Sequence, residues 1–222
     1  MACMTRVLLV DDDALVRAGL RLMLASAEDI TVVAEAADGT EVTDLVDRHR
    51  PDLVLMDIRM PGMDGLEATR LLRARADAPE IVMLTTFTTD GYVLRALQAG
   101  AAGFLLKHTP PSQIIDAVRR ATAGEPVMSP DALGQLITAV TTGEPAPLPL
   151  THADAQRRLD QLGPREHEVA LAVSQGKTNA QIAGDLYMSI PTVKSHISHI
   201  LARLELNNRV QIALLVYRAG RL

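Results

Sequence analysis

The sequence predicts an α/β unit built on a doubly wound parallel sheet, followed by a smaller all-α unit. Three observations carry this. Five short apolar runs alternate with five amphipathic stretches over residues 1–125. The apolar runs lack polar alternation, as strands covered on both faces do. Beyond residue 159 the recurrences switch to three and four, the helical period.

The strands are expected at 7–10, 30–34, 53–56, 81–84 and 103–106, with helices at 15–25, 39–49, 66–76, 91–99 and 112–123. Parallel neighbours need crossover connections, and the helices between the runs supply them. Gly124-Glu125-Pro126 closes the fifth helix. The first domain is thus placed at 4–125 and a linker at 126–158, with a short helix expected over 131–140. The linker ends in "TTGEPAPLPLTHAD" (141–154), whose four Pro/Gly signals leave little periodicity. A four-helix domain follows at 159–222, with breaks near Gly176, 187–189 and Asn207.

Composition narrows the function classes. Apolar content of 48% is ample for packed cores. Three Tyr, two Phe and no Trp give no stacking platform for single-stranded nucleic acid. The single cysteine excludes a disulfide framework and a Cys-based zinc site. No apolar run approaches membrane-spanning length and no leader pattern opens the chain, so a cytoplasmic protein without membrane partners is expected. The net charge of −5 is uneven. From Thr151 onward nine Lys/Arg face six Asp/Glu, giving +3, and the remaining thirteen face twenty-one, giving −8. An acidic module followed by a mildly basic one is the consequence.

In open parallel sheets, ligands bind at the carboxyl ends of the strands. Here the first strand ends in "LVDDDA", the third in "LMDIRMP", the fourth in "MLTTF" and the fifth in "FLLKHT". Asp11, Asp12 (or Asp13), Asp57, Thr85 and Lys107 should therefore converge. A carboxylate after the apolar run 53–56 is costly unless compensated, and three together repel without a cation among them. Oxygen ligands without His or Cys favour a hard ion such as Mg²⁺. With Lys107 as a second positive charge, the pocket suits a dianion on Asp57.

"MDIRMPGMDG", with the upstream acidic pair and the downstream Thr and Lys, resembles a two-component response-regulator receiver over residues 4–125. The resemblance implies a five-stranded sheet of order 2-1-3-4-5. It makes Asp57 the phospho-acceptor. Asp11, Asp12, Asp57 and the Arg59 main-chain carbonyl become the Mg²⁺ ligands. Thr85, Lys107 and Phe104 become the groups that follow the phosphoryl group. His108 stands where the family commonly has Pro or Asp. The implied partner is a sensor histidine kinase.

In the second module, "TNAQIAGDLYMSIPTVKSHISHILARLEL" reads as two helices around a very short turn. Thr178 and Ser189 suit the caps, and Pro191 the opening turn of the second helix. That helix has one apolar face, Val193, Ile197, Ile200, Leu201 and Leu204. Its opposite face carries Ser195, Ser198 and His199, with Thr192 and Lys194 at the margin, a set suited to a major groove. A zinc pair at His196 and His199 lacks further ligands. With the "REHEV" start and the "NNRVQ" close, residues 159–222 resemble a LuxR/NarL-type helix-turn-helix domain, the output module of the NarL/FixJ response regulators. By that resemblance Lys194 and Ser195 face bases or phosphates. Thr178, Asn179, Thr192 and Arg209 position the backbone, and Ser198 and His199 read bases. Gly163 stands where the family usually has a capping Thr, a loss of a few tenths of a kcal/mol.

The whole chain then reads as a transcription factor that phosphorylation of Asp57 switches to a dimer on double-stranded operator DNA. A charge of +3 is modest for one DNA-binding module, so a homodimer is expected to supply the rest. The final helix, apolar nearly all round, suits a dimer face. The principal rival is an Asp-nucleophile phosphohydrolase. Such enzymes place a second Asp two residues past the nucleophile, where this chain has Arg59, so an enzyme acting on outside substrates is not expected.

Overall fold

The computed structural model describes residues 4–75, 77–86, 92–129 and 151–220. Its N-terminal domain contains β1 (Thr5–Val10), α1 (Ala14–Leu24), β2 (Ile30–Ala36), α2 (Val42–His49), β3 (Leu53–Met56), α3 (Gly65–Arg73), β4 (Glu80–Thr85), α4 (Tyr92–Ala99), β5 (Gly103–Leu106), α5 (Pro111–Thr122) and β6 (Val127–Met128). The strands run parallel in the order β2-β1-β3-β4-β5-β6.

Six strands therefore stand where five were expected. The extra one pairs Val127 and Met128 with Gly103 and Phe104. It is two residues long, too short for periodicity to reveal, and it occupies the start of the expected linker. The α5 helix ends at Thr122 with Ala123 as its cap, and the following Gly124, with a φ of +80°, lets the chain reverse toward the sheet edge.

Alternation along the strands builds two cores. Val7, Leu9, Leu53, Leu55, Val82 and Leu84 pack on one face against Leu20 and Leu24 of α1 and Ile114, Val118 and Ala121 of α5. Leu8, Val10, Val54, Met56, Ile81, Met83 and Phe104 pack on the other against α2, α3 and α4. Because both faces are covered, every residue of β3 is buried.

The C-terminal domain contains α6 (His152–Leu159), α7 (Pro164–Ser174), α8 (Asn179–Asp185), α9 (Ile190–Arg203) and α10 (Arg209–Arg218). Helix α6 occupies the end of the expected linker and runs into Leu159, the first residue of the expected second domain. Thr151 caps it, exchanging hydrogen bonds with Asp154, and Ala155 and Leu159 enter the core. The expected helix at 131–140 falls outside the described residues. In α9, Val193 and Ile200 are buried while Ile197 and Leu201 are partly covered, the face the spacing predicts. Helix α7 has no side-chain cap at Gly163; Glu166 accepts from the Gly163 N–H at 2.9 Å, and Arg203 of α9 donates to the same carboxylate at 2.7 Å. Among the described residues no helix is long and apolar enough to cross a membrane.

Candidate functional site

The strand ends do converge. Asp57 is 6% exposed and is pinned by its own N–H, which donates to the Val10 carbonyl at 2.8 Å. Its Oδ1 accepts from the Ile58 N–H at 2.7 Å, and its Oδ2 from Lys107 Nζ at 2.8 Å. Lys107 Nζ also stands 2.6 Å from Asp11 Oδ2. One oxygen from each of Asp11, Asp12 and Asp57 lies within 4.8 Å of the others, a cluster typical of divalent-metal sites. Asp13 is a cap instead: its carboxylate accepts from Leu15 and Val16 N–H at the start of α1, and its own N–H donates to Asp11. Of the two neighbouring acids, Asp12 is the one that stands with Asp11 and Asp57.

Thr85 is buried at the end of β4, and its carbonyl accepts from the Lys107 N–H at 2.8 Å. Phe104 is buried in β5 within the core that also holds α4. His108 is exposed beside the pocket, and no cis peptide bond occurs among the described residues. Gly65 went unremarked in the sequence, yet a Cβ there would fall 2.0 Å from the Asp57 carbonyl oxygen. Only glycine lets α3 begin so close beneath the acid. Asp38, also missed, accepts from the N–H groups of Gly62 and Met63 at 2.8 and 3.2 Å and so holds the loop that Pro61 turns.

The electrostatics follow from one cation among three acids. Burial pushes the Asp57 carboxyl up and the charge of Asp11 adds to this, while Lys107 opposes both. For Lys107, burial pulls down, but Asp11 and Asp57 beside it outweigh that, leaving the ammonium above its ordinary value. Asp11 Oδ2 is buried and shares the Lys107 ammonium with Asp57 Oδ2. Three carboxylates beside one shared ammonium leave the pocket under-neutralised, which fits a divalent cation.

Three of the eight expected DNA-contact residues, Lys194, Asn179 and Arg209, bond to the N-terminal domain. Lys194 Nζ donates to the Thr122 carbonyl at 3.0 Å, and Asn179 Nδ2 to the Ala123 carbonyl at 2.6 Å. The Arg209 guanidinium donates to the carbonyls of Gly124 and Lys177 and to Asn179 Oδ1. Burial holds its pKa below the usual arginine value. A cleft of about 320 Å³ between the domains is lined by Lys194, Ser198, Asn179 and Arg209 on one side and by Arg73, Glu80 and Thr122 on the other. Thr192 joins the Ser189 cap through a 2.8 Å hydroxyl contact, and Thr178 caps α8. Ser195 and His199 are exposed, as is Ser198 at the edge of the cleft.

A second clasp was not read from the sequence. Asn208 Nδ2 donates to the carbonyls of Leu97 and Ala101 at 2.8 and 3.0 Å, and Gln211 Nε2 donates to Leu97 at 2.9 Å. Both amides are buried. Val210 packs against the α4-side core of the N-terminal domain, while Ile212, Leu215 and Val216 fill the C-terminal core. The apolar excess of α10, expected to serve a dimer, is thus largely used within one chain. The available signal was two amides interrupting an apolar helix start.

Comparison with known proteins agrees with this architecture. Residues 7–119 match the response regulator receiver domain and residues 160–216 the luxR family of bacterial regulatory proteins. The chain is 39% identical over 216 residues to the transcriptional regulatory protein LiaR of Bacillus subtilis, covering 97% of this chain and 98% of LiaR. It is 36% identical over 212 residues to the nitrate/nitrite response regulator NarL of Escherichia coli K12, covering 96% and 94%. Among solved structures, the response regulator ChrA of a heme-sensing two-component system matches at 36% identity and a TM-score of 0.54, over all of both chains. A receiver carrying the acidic pocket, joined to a LuxR-type helix-turn-helix, makes this chain a member of the NarL/LuxR family of response regulators.

Proposed function

We propose that the chain is a transcription factor held closed by its receiver and released when Asp57 is phosphorylated. One observation carries this: Lys194, Asn179 and Arg209, three of the expected DNA contacts, are bonded to receiver carbonyls. A carbonyl oxygen and a phosphate oxygen compete for the same donors, so the docked module cannot seat on a duplex.

In the receiver, an Asp57 oxygen attacks the phosphorus of a kinase phosphohistidine or a small phosphodonor. The bond to the leaving group breaks, the electron pair departs with that group, and an acyl phosphate forms. Lys107 then pairs with a phosphoryl oxygen, and the Thr85 hydroxyl supplies a hydrogen bond. Asp11, Asp12, Asp57 and the Arg59 carbonyl would hold Mg²⁺, which offsets charge on the phosphoryl oxygens. The new dianion changes the surface around α4 and β5, where Asn208 and Gln211 are clasped. Freed modules dimerise on operator DNA, two mildly basic domains giving the affinity that one lacks. A histidine kinase as donor and chromosomal DNA as target place the protein in the cytoplasm. Beyond its own phosphotransfer and slow hydrolysis of the acyl phosphate, no enzymatic role is proposed.

Two measurements bear on this reading. Millimolar Mg²⁺ is expected to raise the melting temperature of the full chain, by about 1 kcal/mol of stability at a few times its Kd. Scanning calorimetry with and without EDTA checks it, and an unmoved transition would count against the metal site. With a phosphodonor present, Lys194→Ala should weaken operator binding about tenfold and lower the slope of log K against log salt by about 1. Fluorescence anisotropy across a salt series reads both. Unchanged affinity and slope would overturn the placement of α9 in the groove.

A further inference from the structure

The link between the phosphorylation loop and the interdomain clasp is visible in one aromatic contact. Tyr92 is the first residue of α4. The Arg59 guanidinium carbon lies 5.4 Å from the centre of its ring, and Arg59 Nη2 donates to the Tyr92 hydroxyl at 3.3 Å. Arg95, one turn along α4, has its guanidinium carbon 5.4 Å from the same ring. At the far end of α4, the carbonyls of Leu97 and Gln98 accept from Asn208, Gln211 and Asn207 of the C-terminal domain. One short helix therefore has a contact to the Asp57 loop at its start and the clasp at its end. Arg59 lies only two residues past Asp57, on the exposed rim of the pocket.

We infer that Tyr92 is a latch: its ring, held by Arg59, fixes α4 in the position that clasps the DNA-binding domain. A phosphoryl group on Asp57 draws Arg59 away and loosens the helix. The physical reason is a difference in strength. An exposed cation–π contact is weak, whereas a charge-assisted hydrogen bond from a guanidinium to a dianionic phosphoryl group is considerably stronger. Once Arg59 turns to the phosphoryl group, the Tyr92 ring keeps its packing on the core and its contact with Arg95 of the same helix, but loses its tie to the Asp57 loop. The signal thus travels along a helix of eight residues. This inference rests on the phosphorylation reading above and goes beyond it in naming the side chains that carry the change.

The test uses the full chain, operator DNA, and acetyl phosphate with Mg²⁺ as phosphodonor. Tyr92→Leu keeps an apolar side chain against the core but removes the ring and the hydroxyl. Without phosphodonor it is expected to bind DNA roughly fivefold tighter than the parent. With phosphodonor the two should bind alike. Tyr92→Phe keeps the ring and should stay close to the parent in both states. In a background already opened by Asn208→Asp, Tyr92→Leu should add nothing, because both act on one equilibrium. If the parent responds to acetyl phosphate while Tyr92→Leu matches it without phosphodonor, the latch is wrong and the switch stands. Equal weakening in both states would mark general damage to α4 and also overturn the latch. If the parent does not respond, the switch fails; a larger scattering radius for Tyr92→Leu would still support the latch, and an unchanged radius would overturn it.

Discussion

Asp57→Ala is expected to abolish the whole phosphodonor-dependent increment in dimerisation and DNA binding, leaving the basal level of the closed chain. No neighbouring acid substitutes in place. Asp12 is exposed, and Asp11 is buried with its Oδ2 against Lys107 and its Oδ1 accepting from Asp13. Sedimentation velocity and anisotropy with acetyl phosphate check this, and retained stimulation would show that Asp57 is not the acceptor. The same position has a stability signature of definite sign. Burial raises the Asp57 pKa in the folded chain above its unfolded value. Such a group costs nothing at pH values below the unfolded pKa, where it is neutral in both states. The penalty grows as pH rises through the folded pKa. Asp57→Asn, of nearly the same shape, should therefore melt higher than the parent at neutral pH without metal. That advantage should vanish at pH values below the ordinary carboxylate range.

Asn208→Asp is expected to open the molecule without any phosphodonor. The change keeps Oδ1, which caps α10 by accepting from the Gln211 N–H at 2.9 Å, so the helix retains its start. It removes both donors to Leu97 and Ala101 and sets a carboxylate oxygen against two buried carbonyls. Losing two buried hydrogen bonds and stranding their acceptors costs docking about 3 kcal/mol, roughly a hundredfold shift toward the open form. Small-angle scattering should report a larger radius of gyration, and DNA binding should approach that of the phosphorylated parent. An unchanged radius and affinity would show that the clasp contributes little to closure.

The pocket was legible in the sequence because strong apolar runs place their polar terminators at one sheet edge. Asp57, Thr85 and Lys107 each follow such a run, and the parallel topology does the rest. The elements that escaped were short or polar. The sixth strand is two residues long. The α6 helix buries only Ala155 and Leu159, although Thr151 and Asp154 already formed a capping signature inside a Pro-rich stretch. The interdomain clasp joins residues 107 to 114 apart in the chain, a distance at which local pattern carries no information. Tyr92 lies in an element that was expected, but its partner Arg59 was read only for a main-chain carbonyl. Orientation of a long cationic side chain is decided by tertiary surroundings, here an aromatic ring 33 residues away.

The contacts from Lys194 and Arg209 to receiver carbonyls have a consequence in the reverse direction. If DNA and the receiver compete for one set of donors, then DNA is an effector of the receiver as much as phosphate is an effector of the DNA-binding module. Coupling free energies are symmetric. Under the proposed switch, an operator that captures an open molecule would withdraw it from the closed pool and, by the same factor, favour the phosphorylated receiver. The number of vacant target sites would then help to set how much of the protein carries phosphate.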